Sequence, residues 1–536
     1  MTEAIETDSI ALAGESNTDV PATPPPQFSD AIKEPGNACT KRAALAPAVA
    51  VIATAYDLNG RDPRRVIEFE HASGRRVRRL LEESAFESAN RVRKSLIKAG
   101  VSLDSARELP TDIAKLQSAT IGVHGVPYGW SHGCDTGTIY RYRDTVYSAS
   151  GPIPVYSDGP ACAAKHAGDI GKAQAMLDRD VSAGAVLLVA AHLAAPLVRL
   201  LGRAPLAIVV SGVPTAEAVR LNSLAQSLFG TRPNAWTAHE DKDDNALVQL
   251  SAVKSRREAF ARVRGFHEAT ATPVNRNRLG NGAQAPVILV LTDESDAAEN
   301  LASPRPPDGC IELPFSESGS GLLEDAKQPP APVIDDHWGI AAEAYINAVL
   351  LKTAKVIQHA DTDIPKFVQR YTDIVKGGKS GEGKSAALSS FALLRYALAC
   401  GRHLGIVPWT KESDHDVIDA WVARWGELHR ARESAFERYV INAVKKLADP
   451  GDASQYAKMT DLEVTFESVK GRQLILIEPF TFDTQIVMRF DKSRVLDVLR
   501  KRRLLVTNGE GAQYQKRIGG GRARFYAIDA AILRNL

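Results

Sequence analysis

Apolar and polar positions change their period several times along the chain, and each change predicts a different kind of element. Short alternating runs come first. Ala48–Ala55, Val66–Glu70, Thr138–Tyr142 and Thr145–Ser148 read as strands, and Ala85–Ala99 as a charged helix between them. Residues 46–160 therefore predict a small α+β domain. From 161 to 315 the pattern becomes α/β. An apolar helix over 183–201 leads into a continuous apolar run, Leu206–Val210, then a turn and a helix over Glu217–Phe229, and a second such run is Val287–Leu291. Uninterrupted apolar strands alternating with helices imply a largely parallel sheet covered on both faces.

Pro, Gly, Ser and Asp crowd residues 298–335, and 316–336 reads as a linker. Helical periodicity fills 337–448, with helices expected at Trp338–Lys355, Ala386–Leu404 and Asp416–Leu447. The last segment, 449–536, closes on a helix at Ser493–Arg503, an apolar run, a turn at Thr507–Gly511 and two strands, Gln513–Ile518 and Arg524–Ile528. Helix, strand, turn, strand is the order of a winged helix.

Composition narrows this picture. A length of 536 residues suggests three or four domains, and 44% hydrophobic residues suffice for real cores. Net charge is only +2, so any nucleic-acid binding must come from a local patch. Residues 1–45 are acidic, polar and proline-rich (Pro21, Pro24, Pro25, Pro26) and predict a disordered tail. The five cysteines, Cys39, Cys134, Cys162, Cys310 and Cys400, are far apart and form no CxxC pair. With no secretory leader pattern at the start, they predict reduced thiols in a cytoplasmic protein. His192, Pro196 and Arg199 interrupt the apolar stretch 183–201, which favours a buried helix over a membrane span. His124, His132 and Cys134 lie close together but lack a fourth ligand at suitable spacing, so no metal is expected.

The turn after Val210 has the context of a phosphate loop: strand, glycine turn, helix. Such a loop needs a second glycine, a lysine for the β/γ-phosphates and a Ser/Thr hydroxyl for Mg²⁺. Counted from Gly212, those places hold Glu217, Ala218 and Val219. A carboxylate facing a phosphate oxygen at about 4 Å repels it by about 4 kcal/mol at an effective dielectric of 20. The expectation is a phosphate loop without its chemistry.

These residues carry a family resemblance. The stretch Ile208–Gly230 resembles the phosphate-loop segment of domain-of-unknown-function family 927, with Gly212, Ala225, Ser227 and Gly230 fitting its frame. Further short motifs follow in the same order: Val66–Glu70 with Gly74–Val77, a turn at Gly129–Gly133, Asp244–Leu247, Leu289–Glu294, His337–Gly339 with Ala341 and Tyr345, Phe391–Leu394, Gly405–Trp409 and Arg522–Ile528. They span roughly residues 48 to 530. The family comprises helicases and inactivated derivatives, often beside primases in mobile elements. The resemblance implies a degenerate RecA/AAA+-like core, an N-terminal α+β domain, a helical domain and a C-terminal winged helix. It also implies DNA replication or maintenance as the setting, an active helicase or primase as partner, and oligomers.

The departures from the family are as informative. The Walker B strand, ending in Asp-Glu, is due shortly after Leu247, where the chain instead has the basic helical text Lys254–Arg264. Ser385, Ala386 and Ser390 stand where the family tends to carry arginines. No catalytic residue and no cofactor is therefore expected, and the protein reads as an inactivated helicase.

One rival remains. Gly378, Gly383, Lys384 and Ser385 match the phosphate-loop spacing, with Leu474–Glu478 as a Walker B mimic. In that reading the chain is an active ATPase using ATP and Mg²⁺. Pro365–Val375 reads as a helix, however, where a strand is required.

Finally, Asp491–Ile528 holds ten basic residues, Lys492, Arg494, Arg500, Lys501, Arg502, Arg503, Lys516, Arg517, Arg522 and Arg524, against three acids. That excess of seven charges predicts DNA binding through the C-terminal segment. Lys254–Arg264 with Arg276 and Arg278 is a second basic stretch, suited to lining a channel. A third reading is an interaction or regulatory protein, for instance in phage defence, that binds no DNA.

Overall fold

A computed structural model describes residues 43–46, 49–71, 76–101, 106, 118–126, 129–133, 137–142, 144–160, 170–179, 182–229, 248–271, 286–294, 306–307, 309–315, 339–375, 382–448, 464–469, 471–488, 490–508, 511–518 and 521–536. The chain divides into two compact units, one of Met1–Val126 with Ser131–Cys162 and one of Pro127–Trp130 with Ala163–Leu536. Segments of the expected tail, residues 1–42, and the expected linker, 316–336, lie outside the described residues.

The first unit is built on strands β1 (Ala43–Ala46), β2 (Val49–Tyr56), β3 (Arg64–Glu70) and β4 (Arg76–Glu82), helix α1 (Ala89–Lys98) and strand β5 (Ile121–Val123). A second sheet has the order β6 (Gly129–Gly133), β7 (Gly137–Tyr142), β8 (Thr145–Ser148) and β9 (Gly151–Pro154), of which all but Gly129 and Trp130 belong to this unit. The two-residue β10 (Gly159–Pro160) closes the first sheet, whose order is β1-β2-β3-β4-β10 with β5 on β2. Strict alternation in β2 turns Val49, Val51, Ala53 and Ala55 inward. Helix α1 lays Val92 and Leu96 into a core with Val49, Val51, Ile67 and Phe69. Gly129–Gly133, expected as a turn, is strand β6.

The second unit opens with α2 (Ile170–Arg179) and α3 (Ala183–Leu200). Strand β11 (Leu206–Ser211) and helix α4 (Thr215–Phe229) follow, then β12 (Val248–Val253), α5 (Arg256–Ala271), β13 (Val287–Thr292) and β14 (Cys310–Pro314). The four strands form an all-parallel sheet in the order β12-β13-β11-β14. Every residue of β11 and β13 is buried, as the unbroken apolar runs require for a sheet covered on both faces. One face packs Ala207, Val209, Ile288, Val290 and Cys310 against Ala259, Phe260, Val263 and Phe266 of α5. Helix α3 is long and apolar enough to cross a bilayer, yet it is buried from Gly184 to Val198 within this unit.

Helices α6 (Ile340–Leu351), α7 (Thr353–Val375), α8 (Glu382–His403) and α9 (Lys411–Ala448) come next. The expected single helix over Trp338–Lys355 is broken at Lys352, and α7 continues through Pro365. A methyl group on Gly401 of α8 would stand 2.5 Å from Leu193 Cδ1 of α3 and 3.1 Å from Val407 Cγ2, so a larger residue there would force the Leu193 side chain to shift.

The last elements are β15 (Val464–Val469), β16 (Arg472–Ile477), α10 (Pro479–Thr481), which runs into a π-turn at Phe482–Val487, and α11 (Lys492–Lys501). Strands β17 (Leu505–Val506), β18 (Tyr514–Ile518) and β19 (Gly521–Asp529) and helix α12 (Ala530–Arg534) complete the chain. The sheet order is β15-β16-β19-β17, with β18 on β19. Phe436, Val440 and Val444 of α9 share one core with Ile475, Ile477, Val495, Leu499 and Ile528. The segments 161–315, 337–448 and 449–536, read as separate in sequence, therefore form one compact unit.

Candidate phosphate turn and candidate nucleic-acid interface

The connection from β11 to α4 is three residues long: Gly212, Val213 and Pro214. The phosphate-loop signature places six residues, glycine to glycine, ahead of its helix. Gly212 takes φ +76°, a conformation that favours glycine. Its N–H donates to the Glu294 carbonyl at 3.0 Å, and the Val213 N–H donates to the Thr292 carbonyl at 2.8 Å. The Ser211 carbonyl accepts from the Phe315 N–H at 2.6 Å. These bonds tie the end of β11 to the chain leaving β13 and β14. They do so at the carboxyl edge of the sheet, where open α/β folds present ligands.

Because α4 starts at Thr215, Glu217, Ala218 and Val219 all lie inside the helix. Ala218 is buried and Val219 is 47% exposed. Glu217 is paired with Arg220, at 2.7 Å from Nε and 2.6 Å from Nη2, and Arg220 Nη2 also donates to Ser182 Oγ at 2.8 Å. Ser182 is the N-cap of α3, and a methyl on Gly184 would come within 3.1 Å of Glu217 Oε1. The expected bare carboxylate in the path of a phosphate is thus corrected. Glu217 is neutralised by a neighbour one helical turn away and packs toward the start of α3.

The sequence pattern missed β12, whose end is the place due for the Walker B carboxylates. It closes on Ala252 and Val253, with Lys254, Ser255 and Arg256 following. The carboxylates nearby serve the fold. Glu294 Oε2 accepts the Arg256 N–H at 2.8 Å, at the start of α5. Glu312 of β14, 1% exposed, meets Arg256 Nε at 2.6 Å and Arg432 Nη2 of α9 at 2.6 Å. Arg256 is itself 1% exposed, and Arg262 pairs with Glu258 at 3.2 Å. Within the stretch expected to line a channel, Arg256 is therefore a buried structural cation; Arg276 and Arg278 lie outside the described residues.

At the rival loop, Gly378 lies outside the described residues, while Gly383, Lys384 and Ser385 belong to the first turn of α8. The element ahead of it is helix α7, not a strand. Leu474–Ile477, the apparent Walker B mimic, belongs to β16, which pairs antiparallel with β15 and β19 in a different sheet. His124 is buried with Nε2 2.8 Å from the Asp62 carbonyl; the side chains of His132 and Cys134 lie outside the described residues.

The C-terminal basic residues separate into two groups. Lys492 pairs with Asp483 at 2.6 Å, Arg500 with Asp497 at 3.0 Å and Lys516 with Glu467 at 2.9 Å. Lys501 and Arg502 share Glu437 of α9. Arg494 turns inward, pairing with Glu433 at 2.6 Å and lying 3.9 Å above the Phe436 ring. Four of these carboxylates, Asp483, Glu433, Glu437 and Glu467, come from outside the 491–528 window, so the local excess of seven charges overstated the free charge. Arg503, Arg517, Arg522 and Arg524 are exposed and have no carboxylate partner among the described residues. Arg517 stands directly opposite Arg522 across the β18–β19 pair, and Gln515 opposite Arg524. All four positions share one face, because side chains two apart on a strand point the same way. The other face packs Tyr514, Ala523 and Phe525 against Leu474 and Leu476.

No family model matches this chain, and no curated protein does. A solved structure titled "SCCmec type IV Cch - active helicase" is similar to it at a TM-score of 0.56 and 14% sequence identity, over 91% of this chain and 95% of that one. At that identity the likeness concerns the fold, and in its fold this mixed α/β multidomain chain is helicase-like.

Proposed function

We propose that this chain is a helicase-like protein that does not turn over ATP and works on DNA through its C-terminal segment. The observation that carries the reading is the three-residue connection after β11, whose Gly212 and Val213 amides are already bonded within the fold. A phosphate cradle is made of free backbone N–H groups at a widened turn, with a lysine and a hydroxyl behind them. Here the turn is too short, the amides are spent, and the three signature places hold Glu217, Ala218 and Val219 within a helix. The end of β12 offers no carboxylate pair for a metal.

In this reading the chain is an inactivated relative of family 927, a degenerate RecA/AAA+-like core joined to a C-terminal winged helix. It serves as a DNA-binding or assembly component beside an active helicase or primase of a mobile element. The order α11, β17, β18, β19 supports the winged helix, and the shared fold of a helicase supports the motor ancestry. A ring-shaped oligomer rests on fold analogy alone.

The test is calorimetric titration of the purified full chain with ATP and Mg²⁺, run beside a gel shift on duplex DNA at low salt. The expected result is no heat from nucleotide and a clear shift with DNA. ATP binding that Lys384→Ala removes would overturn the reading in favour of the 378–385 loop. Absence of any DNA shift would overturn it in favour of an interaction protein.

A further inference from the structure

We infer that the outer face of the β18–β19 hairpin, rather than helix α11, grips duplex DNA, and that it grips the phosphate backbone without reading sequence. The inference rests on the DNA-binding reading above and adds which surface makes the contact and what it touches.

Helix α11 is poorly furnished for entering a groove. The one acid within it, Asp497, is 70% exposed and holds Arg500 at 3.0 Å, so a phosphate approaching Arg500 there meets a carboxylate. Arg494 is held by Glu433 and Phe436, Arg500 by Asp497, and Lys501 and Arg502 by Glu437; Arg503, two residues past the helix, is the one cation of this end with no carboxylate partner among the described residues. A helix whose cations are bonded to its own protein gains little by trading those partners for phosphates.

The hairpin has the opposite character. Arg517 and Arg522 face one another as a cross-strand pair, with Arg524 beside them on the same face. Like charges directly opposite destabilise a sheet by a few tenths of a kcal/mol to about 1 kcal/mol. A closely spaced polyanion relieves that repulsion, and fork-shaped guanidinium groups match phosphate oxygens. The kind of nucleic acid follows from what the face lacks. Binding of single strands without sequence preference relies on aromatic side chains on which bases stack. Of the aromatics on these two strands, Tyr514 and Phe525 belong to the inner face, packed on Leu474 and Leu476, and Tyr526, two places beyond Arg524, is 3% exposed and stacked on Phe482. Three arginines with no stacking ring suit the regular phosphate rows of a duplex, and backbone contacts by themselves carry no base information.

The experiment is fluorescence anisotropy of the full chain on labelled duplexes of two unrelated sequences and on the matching single strands, over a salt series. Wild-type protein is expected to bind both duplexes within about twofold of each other and the single strands more weakly. The triple variant Arg517→Gln, Arg522→Gln, Arg524→Gln is expected to bind duplex at least about tenfold more weakly, with its log–log salt slope shallower by about 2.7 for three lost phosphate contacts. The double variant Arg500→Ala, Lys501→Ala is expected to stay within about threefold of wild type.

These variants alter exposed side chains, and matching thermal melts establish that they fold. Loss of binding in the α11 double variant with retention in the hairpin variant would overturn the inference while leaving DNA binding intact. So would tighter binding to single strands, or strong preference for one duplex sequence. Failure of the wild type to bind any DNA would instead remove the functional reading on which the inference rests.

Discussion

At the carboxyl edge of the parallel sheet, Gly212 and Val213 give their amides to Glu294 and Thr292, and Glu312 is held between Arg256 and Arg432. On the outer face of the β18–β19 hairpin, Arg517 and Arg522 face each other and no carboxylate of the described residues meets them. Both places carry groups that bind phosphate, backbone N–H and guanidinium at the first and guanidinium at the second. At the first their bonding capacity is consumed inside the fold; at the second it is left over. What separates a structural charge from a functional one here is the partner supplied from another part of the chain. Residue type and local count do not reveal it.

The largest effect that would break this comparison lies at the sheet. Glu312→Ala leaves Arg256 buried without its anion and is expected to cost about 3–5 kcal/mol, read as a lower urea midpoint at unchanged slope. A loss below about 1 kcal/mol would mean that the pairing carries little of the fold.

Next comes the acid dependence of the helix buried within the same unit. His192 of α3 is fully buried, bonded to the Leu188 carbonyl at 2.8 Å and stacked on Phe229 with ring centroids 4.3 Å apart. Burial pushes its pKa down from 6.5 to about 4, partly offset by the bond to Leu188. The unfolded chain therefore binds a proton near pH 6.5 that the native state refuses until about pH 4. Stability is complete above the first value and declines as pH falls toward the second, by about 3 kcal/mol in all. Chemical denaturation at pH 7 and pH 4.5 measures this decline, and His192→Leu is expected to flatten it. An unchanged decline in that variant would assign it to other groups.

The smallest effect belongs to the hairpin. Replacing Arg517, Arg522 and Arg524 together by glutamine is expected to change the unfolding free energy by no more than about 0.5 kcal/mol, and toward greater stability, since like-charge repulsion is removed. A destabilisation matching that of Glu312→Ala would erase the distinction between the two regions.

Much of the sheet was legible in the sequence. Leu206–Val210 and Val287–Leu291 are continuous apolar runs, and such runs declare a doubly covered strand wherever they fall. Strands β12 and β14 were not legible, for a different reason in each case. Val248–Val253 mixes Gln249 and Ser251 into an edge strand. Cys310–Pro314 is short and has an acid at its centre, and Glu312 can be buried there only because Arg256 and Arg432 arrive from positions distant in sequence. At the candidate sites, the absence of lysine at 218 and of a hydroxyl at 219 was readable by counting from Gly212. The shortness of the turn, the use of its amides and the pairing of Glu217 with Arg220 were not.

The sequence by itself determined the apolar strands, the long helices, the missing phosphate-loop residues and the basic character of the C-terminal segment, because periodicity, residue identity and local charge are properties of neighbours along the chain. Tertiary structure alone decided which of the ten cations remain unpaired, since Glu433, Glu437, Glu467 and Asp483 reach them through folding. It also decided that the turn after β11 is closed. A hydrogen bond from Gly212 to Glu294 joins residues 82 positions apart, and only the pairing of β11 with β13 brings that donor and acceptor within reach.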